Sequence, residues 1–600
     1  MIHESIFMHR RTNKANLPKF LNEVDEVTGG MSREELLEFI HDIARKLNEE
    51  KRKDFLDRLN IMCRTFGSLQ KTDVGKGNID YNNFEEIKEN LKSIEDGKLC
   101  LEGSLNEEYD DWYDSCADEF LFEDPNGVMG NLWNACDFLH QCVKSGEYEK
   151  GYKIAQILVG LQIMVEGEYL EYADDPIGID ELEYYHLGTL NYRQAIIDAM
   201  YVAYCANVLS DRADAVYRML ENSRRTDITM EMVMQNGEEL PEMKEFLELW
   251  IDYLGDKSSF NAKQLIKEAV ELTDDQDQFL ENARKYCTTH PGLYERYLLD
   301  NVDKEEEHLL TVAKEALERI DPKYVIRGRI ALWAAPMLLI KNRQQDAEYF
   351  WLEAFRSDSR VVNYLRLFRE CMDFSDYMEE TKRISCSACE HIDRYGSPYR
   401  SDDELQENHV NTSNAYMLVF FGGEFQYVKE HAMKSGKSLG WSDTFMKCGL
   451  AAFLLLLLES DTLQQGCKAM CNKITDDTGF AVCDYVTGTL NDISDSNAAW
   501  FWKCFRDWKA TISMSQEEKG MYLQWVEELI EKRIKGIMEG NYRRFYGECA
   551  GYIAAFGEVK ESLGDLNGKQ KILLEYKALY SRRSAFHNEL RGFGMKDRRK

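Results

Sequence analysis

Proline is so scarce in this 600-residue chain that long stretches of it are free to form helices. There are 8 prolines, about a quarter of the usual share, and none lies beyond Pro398. Proline breaks helix interiors because it lacks a backbone N–H and clashes with the preceding turn. The sequence therefore predicts an all-α chain.

The balance of charges limits the partners that the chain can bind. Lys and Arg number 74 against 107 Asp and Glu, which gives a formal net charge of −33 at pH 7. Hydrophobic residues make up 44% of the chain, which excludes a mostly disordered protein. Duplex nucleic acid needs a basic face on its partner, so the acidic balance argues against a general role in binding it.

Three features bear on the compartment. Met1–Arg11 lacks the apolar core of a secretory signal. The longest apolar run, Gly449–Leu458, has ten residues, whereas a membrane-spanning helix needs about 20, so we interpret the run as the buried face of a core helix. The 16 cysteines, scattered from Cys63 to Cys549, are expected to be reduced. Together these features predict a cytoplasmic protein with no membrane partner.

The spacing of apolar residues predicts helices along the chain and no strand of useful length. Ser32 and Glu35 form a capping box before one helical pattern, and another helix is expected at about Phe84–Ile94. From Val128 onward, helical segments of about 12–20 residues are joined by short turns. We divide the chain into an N-terminal helical segment (1–100), a first helical-repeat block (101–325) and a second, TPR-like block with a C-terminal cap (326–600).

The helices are expected to pair, and Ile330–Arg360 is the best match to a tetratricopeptide-type (TPR) unit. Ala335 occupies the small-residue position of the first helix, and Ala347 and Ala354 occupy those of the second. Pro336 is expected to kink or delay the first helix. Weaker copies, irregular in length, fall at 139–158, 416–433 and 552–579. The sequence thus predicts an irregular TPR-like α-solenoid of helical hairpins, in which each unit covers the apolar face of the next.

An ordered series of short motifs runs through most of residues 30–592. The main segments are Ser32–Leu59, Glu123–Gly130 (EDPNGVMG), Gln345–Phe368, Lys434–Trp441 (KSGKSLGW), Asn541–Tyr546 and Arg582–His587. In this order they resemble the long, TPR-like helical region found beside SWIM zinc fingers in bacterial proteins.

The resemblance implies a helical scaffold that binds a partner. The family's zinc finger has Cys-x-Cys followed later by Cys-x-His, and this chain has no Cys-x-Cys. Its only Cys-x-His is Cys389-Glu390-His391. The zinc of that finger, and its nucleic-acid or protein contacts, are therefore not carried over to this chain.

Two groups of aromatic residues are candidate partner anchors, because exposed aromatics often carry binding energy. Tyr109, Trp112 and Tyr113 lie within a strongly acidic stretch, and we predict a binding role for them. The second group has two interpretations, partner anchors or core residues at helical spacing, and consists of Trp500, Trp502 and Trp508.

Two cysteine pairs have spacings that occur in metal sites. Cys386 and Cys389, with His391 two residues on, have the spacing of part of a zinc site. Cys467 and Cys471 share a helix face and offer two more thiolates. The competing interpretation is that all four are reduced core cysteines, and we predict no metal and no cofactor.

Two acidic turns offer oxygen ligands to a hard cation, namely residues 123–127 and 174–176. Neither has the full calcium-loop spacing. Asp and Asn before Pro and Gly are also ordinary turn and N-cap residues, which is the competing interpretation.

One residue pair near the C-terminus suggests catalysis. Arg582 and His587 fit the Arg-x4–6-His pattern of HEPN-type ribonucleases, in which the arginine stabilises charge and the histidine acts as an acid–base group. The competing interpretation is a helix end with cations near its negative pole.

The sequence carries no phosphate-binding glycine loop, metalloprotease helix or nucleophile elbow. We therefore predict a noncatalytic protein-binding scaffold or adaptor, whose partner is another protein held through a basic or peptide-like segment. The alternative is a nucleic-acid-binding or RNA-cleaving effector that uses Arg582 and His587. A third possibility is a regulatory component of a multi-gene bacterial system whose zinc finger lies on a partner chain.

Overall fold

The fold is built mainly from α-helices. The computed structural model describes residues 81–105, 120–167, 176–185, 187–302, 304–397, 403–434, 446–480 and 497–596. Helix accounts for 71% of these residues and strand for very little, which confirms the prediction of a helical chain. Among the described helices, none combines the length and the apolar character that crossing a membrane requires.

The chain divides into two compact units. The first comprises the chain up to Leu254 together with Ser259–Thr273, and the second comprises Gly255–Ser258 and the chain from Asp274 onward. The three-part division expected from the sequence stays a prediction.

The first unit contains eight of the described helices and all of the described strands. Its helices are α1 (Tyr81–Glu95), α2 (Val128–Ser145), α3 (Tyr148–Leu158), α4 (Tyr192–Ala206), α5 (Leu209–Asn222), α6 (Met230–Met234), α7 (Met243–Gly255) and α8 (Phe260–Leu272). Its strands are β1 (Leu101–Leu105), β2 (Phe120–Glu123), β3 (Gln162–Ile163), β4 (Val165–Glu166) and β5 (Ile177–Gly178). The helix expected at about 84–94 is confirmed as α1.

The expectation of no strands is wrong for this part of the chain. β1 pairs antiparallel with β2, with Gly103 opposite Phe122, and parallel with β4, with Leu101 opposite Val165. β3 and β5 form a separate antiparallel pair. These strands have two to five residues, which is too short for period-2 alternation to stand out from the surrounding helical pattern.

The second unit is formed by the remaining sixteen described helices. They are α9 (Gln276–Lys285), α10 (Gly292–Asp300), α11 (Glu306–Arg319), α12 (Val325–Ile340), α13 (Gln344–Ser357), α14 (Val361–Glu370), α15 (Met378–Tyr395), α16 (Thr412–Phe421), α17 (Phe425–Lys434), α18 (Met446–Leu457), α19 (Gln465–Thr478), α20 (Asn497–Lys509), α21 (Gln516–Glu539), α22 (Tyr546–Ser562), α23 (Gly568–Leu579) and α24 (Ser584–Gly592).

Two sequence predictions are confirmed in the second unit. The leucine-rich run lies in α18, and every residue of Leu450–Leu458 is buried. The segment 330–360 contains the expected helix pair, α12 and α13, in which Ala335, Ala347 and Ala354 are fully buried. Its TPR-like arrangement stays a prediction. α12 begins at Val325 and continues through Pro336, so the proline does not delay the helix.

Carboxylates from outside three helices satisfy the free N–H groups at the starts of those helices. Asp124 caps α2, Glu268 caps α6 and Glu558 caps α19. Each carboxylate accepts two backbone N–H groups, at 2.7–2.9 Å. A helix start leaves such donors without an intrahelical partner, and its partial positive charge favours an anion.

Glu558 is the most buried of these caps. It lies on α22, its side chain is 1% exposed, and its two oxygens accept the N–H groups of Gly466 and Cys467 at 2.9 and 2.7 Å. Lys569 Nζ on α23 lies 3.0 Å from Glu558 Oε1. α19 and α22 approach so closely that a Cβ on Gly466 would lie 2.3 Å from the backbone N of Ala555. The side chain of Glu558 thus links α19, α22 and α23. It does so beside Gly466, a position where no residue larger than glycine fits.

We expect Glu558→Gln to destabilise the second unit, by about 2–4 kcal/mol of local unfolding free energy. The amide turns an N–H₂ group toward one of the two backbone donors and removes the counterion of Lys569. Hydrogen–deuterium exchange at the start of α19 should become faster, and the thermal midpoint should fall.

The matched control is Glu575→Gln, which makes the same change at an exposed position on α23. It should change the unfolding free energy derived from either measurement by less than about 0.5 kcal/mol. Equal behaviour of the two variants would mean that the Glu558 cap contributes nothing.

A second prediction concerns acid stability in the first unit. Arg225 binds Asp227 through Nε and Nη2 at 2.7 and 2.9 Å, and Arg193 Nε lies 2.8 Å from the same carboxylate. Hydrogen bonds from Arg225, assisted by Arg193, lower the pKa of Asp227 from 3.8 to about 2. A depressed carboxyl pKa contributes stability above the unfolded value, and this contribution is lost as the pH falls from about 4 to about 2.

Asp227→Asn should therefore lower the thermal midpoint at pH 6, with the difference from wild type shrinking as the pH approaches 2. The effect is small because the pair is partly exposed. Asp256→Asn, at an exposed position, is the control. A difference from wild type that stays constant from pH 6 to pH 2 would contradict the assignment.

Candidate functional site

A groove of about 320 Å³ opens between α11 and the hairpin of α12 and α13. We call it the hairpin groove. Its apolar surface comes from Leu310, Leu338, Tyr349 and Phe350. Its polar surface comes from Glu307, Thr311, Lys314, Arg343 and Asp346. A floor of apolar groups with charged groups around it is the usual composition of a binding groove.

Ion pairs hold the rim of the hairpin groove in place. Arg343 at the start of α13 lies between two carboxylates, with Nη1 3.0 Å from Glu307 Oε2 and Nε 2.7 Å from Asp346 Oδ2. Lys341 Nζ lies 2.8 Å from Glu306 Oε2. Hydrogen bonds to these carboxylates raise the pKa of Lys341 and of Arg343, so both remain cations at neutral pH. The turn of the hairpin is thereby fastened to α11.

A second cavity, of about 250 Å³, lies between α15 and the segment 408–410. We call it the histidine pocket. Its polar lining consists of Ser359, Arg383, Ser387, His391, Asn408 and His409.

Two imidazole rings stack in the histidine pocket. The ring centroids of His391 and His409 are 4.1 Å apart, and the ring planes differ by 11°. His409 Nε2 lies 3.1 Å from Glu407 Oε2, which holds that ring in position. Burial lowers the pKa of His391, and the neighbouring His409 and Arg394 lower it further, so the His391 ring is neutral near pH 7.

Asn408 fixes the opposite wall of the histidine pocket. Its Oδ1 accepts the backbone N–H of Ser359 at 2.9 Å, and its Nδ2 donates to the carbonyl of Arg356 at 2.7 Å. The loop that carries His409 is therefore bound to the end of α13.

The structure does not bring the candidate zinc ligands together. Cys386, Cys389 and His391 all lie on α15, where Cys386 is exposed and Cys389 is 1% exposed and faces the core. Two residues of helix turn the chain by roughly 200°, so Cys389 and His391 project from opposite sides. Cys467 and Cys471 are fully buried in α19. In the part of the chain that the structure describes, no group of three His, Cys, Asp or Glu residues is placed to hold a metal ion.

The first acidic turn is a helix cap. The carboxylate of Asp124 accepts the N–H groups of Val128 and Met129, and Asn126 Nδ2 donates to the carbonyl of Cys100 at 2.8 Å. Both oxygens of Asp124 are thus already engaged, which supports the interpretation as a turn and N-cap. In the second turn, Asp174 and Asp175 lie outside the described residues.

Arg582 and His587 do not converge in either cavity. Arg582 is exposed in the turn before α24. His587 Nε2 is buried and has no hydrogen-bond partner among the described residues, and burial together with Lys577 lowers the pKa of His587. Arg591 lies in the last turn of α24, where a cation interacts favourably with the negative end of the helix. Arg582 and His587 themselves lie near the start of α24, so the helix-end interpretation holds for Arg591 and not for this pair.

The aromatic candidates have different outcomes. Trp500, Trp502 and Trp508 are buried in α20, and Trp508 Nε1 donates to the carbonyl of Phe421 at 2.9 Å, so they are core residues. Tyr109, Trp112 and Tyr113 lie outside the described residues, and their binding role stays a prediction.

No protein-family model matches the chain, and no curated protein matches it significantly. The resemblance to the helical region of SWIM zinc-finger proteins therefore stays a prediction.

Sequence reasoning missed most of the histidine pocket. Arg383, Ser387 and His391 are spaced four residues apart, which places them along one face of α15. That polar stripe was available in the sequence. The position of His409 was not, because it lies in a loop and no local pattern relates it to His391.

The structure predicts that Cys386 and Cys389 differ in reactivity. Burial raises the pKa of both thiols, and Cys389 is in addition closed off from solvent. Native alkylation followed by peptide mass spectrometry should modify Cys386 and leave Cys389 unmodified until the protein unfolds. Equal labelling of both residues in the native state would contradict the orientation of α15.

Proposed function

We propose that this protein is a noncatalytic scaffold or adaptor that binds another protein through a surface of stacked helical hairpins. The observation that carries the proposal is the hairpin groove, which lies on the helix pair that best matches a TPR unit. An irregular TPR-like solenoid and a cytoplasmic location are part of the proposal.

Packing of small residues supports a stable groove. The buried Ala335, Ala347 and Ala354 allow α12 and α13 to approach closely, and Trp351 is fully buried beside them. Because these residues hold the pair from the inside, Tyr349 is left half-buried at the groove. A half-buried aromatic ring offers a partner a rigid contact at low entropic cost.

The size and lining of the groove suit a segment of polypeptide. Its volume accommodates a few side chains of a longer partner, and apolar floors with polar rims are how helical grooves hold peptides. The charges on the rim of the groove nearly balance, so its apolar floor supplies contact area rather than attraction.

Attraction over longer distances comes from the whole chain. A net charge of −33 draws a basic segment toward the surface and speeds its association, in a manner that salt weakens. We therefore propose a partner that presents a basic or peptide-like segment. No observation favours the alternative of an RNA-cleaving effector, because His587 Nε2 is buried away from solvent.

The test is affinity purification with quantitative mass spectrometry, using the wild type and a groove variant that carries Glu307→Lys and Asp346→Lys. Both residues are exposed, but the variant also removes the two ion pairs of Arg343, so circular dichroism and the thermal midpoint check that the fold is kept. Reversing two charges at the groove should reduce capture of a groove-bound partner by about tenfold or more. The same partner should elute as ionic strength rises.

The control variant carries Glu390→Lys and Asp507→Lys, which reverse the same number of exposed charges away from the groove. It should retain the partner. If both variants lose the partner equally, the acidic surface acts without the groove. If the groove variant retains every protein that the wild type captures, the proposal is wrong.

A further inference from the structure

The histidine pocket is an exception to the acidity of the chain. The chain has 107 Asp and Glu residues, yet none occurs among the nine described residues that line this cavity. The lining instead offers a guanidinium, two imidazoles and two hydroxyls. On the adjoining loop, the carboxylate of Glu407 is engaged by His409 and by Lys323 Nζ, each at 3.1 Å.

Several donors in the histidine pocket have capacity to spare. Among the described residues, neither the Ser387 hydroxyl nor the ring nitrogens of His391 have a hydrogen-bond partner. Arg383 Nη2 lies 3.9 Å from Glu380 Oε1, beyond hydrogen-bonding distance, because Glu380 is engaged by Arg356 Nε at 2.6 Å. Three side chains on one face of α15 are therefore able to donate to a ligand.

We propose that the histidine pocket binds a phosphoryl group, with Arg383, Ser387 and His391 as its donors. A guanidinium makes its strongest hydrogen bonds with phosphate or carboxylate oxygens, and donors spaced along a helix turn suit the several oxygens of a tetrahedral anion. The cavity is somewhat smaller than the roughly 300–1,000 Å³ typical of sites for whole ligands, so it fits one such group and leaves the rest of the ligand outside.

The stacked geometry argues against a metal ion held by the two histidines. A histidine binds a metal in the plane of its ring, along the lone pair of one nitrogen. The planes of His391 and His409 are nearly parallel and their centroids are 4.1 Å apart, so no single ion lies in both planes.

The phosphoryl group has two sources that the pocket alone does not distinguish, a small phosphate ester and a phosphorylated serine on a polypeptide. Both would place the same group against Arg383, and they differ in what lies outside the cavity. The inference does not depend on the hairpin groove, which is lined by different residues.

The test is isothermal titration calorimetry of the full chain with inorganic phosphate near pH 7. Arg383→Ala should weaken binding by about tenfold, since it removes a charge-assisted hydrogen bond. His391→Gln should weaken binding several-fold. Lys382→Ala is the matched control. Lys382 precedes Arg383 on α15, but its ammonium group pairs with Glu424 and it does not line the histidine pocket. This variant should leave binding unchanged.

Histidine-selective NMR supplies a second readout. Phosphate should shift the signals of His391 and His409, which His391→Gln and His409→Gln identify, and leave those of the other nine histidines in place. The groove variant should bind phosphate as the wild type does, so failure of the proposed function and failure of this inference are distinguishable.

The source is decided by comparing glycerol 3-phosphate with a short phosphoserine peptide and its unphosphorylated form. Tighter binding of the ester supports a small ligand, and tighter binding of the phosphopeptide supports a phosphorylated partner. The inference is overturned if no phosphate compound binds saturably, or if Lys382→Ala weakens binding as much as Arg383→Ala.

Discussion

A chain that folds as many short helices must find partners for the backbone groups at every helix end. Each α-helix leaves four N–H groups and four carbonyls without an intrahelical bond, and their number grows with the number of helices. This protein satisfies several of the starts with carboxylates from neighbouring segments, such as Asp124, Glu268 and the buried Glu558. Some of the excess acidic residues therefore stabilise the fold as helix caps, and not all of them are solvated surface charges.

Close approach of helices is a second constraint, and at α19 it coincides with the capping of a helix start. Gly466 packs against the backbone of Ala554 and Ala555 at the place where Glu558 caps α19. Ala335, Ala347 and Ala354 likewise allow close packing in the α12–α13 hairpin. Its aromatic side chains lie in the core or line the hairpin groove. Small residues at the contacts thus decide which larger residues remain available to a partner.

The two cavities differ in the kind of contact that they offer. The hairpin groove combines an apolar floor with a rim of paired charges, which suits a polypeptide segment. The histidine pocket is a small, polar cavity whose lining lacks carboxylates, in a chain of net charge −33. An acidic chain repels anions in general, and a cavity whose lining lacks acidic residues repels an anionic group less than the acidic surface does.

The sequence by itself determined the helical class, the α12–α13 hairpin and the burial of the leucine run, because each depends on local periodicity and on the scarcity of proline. The four-residue spacing of Arg383, Ser387 and His391 was also present in the sequence, although the sequence analysis did not single it out. Only the tertiary structure decided that His409 stacks on His391, that Glu558 caps α19 and that Cys389 and His391 diverge. These relations join residues from separate elements or depend on which helix face is buried, and no local pattern encodes how distant segments meet.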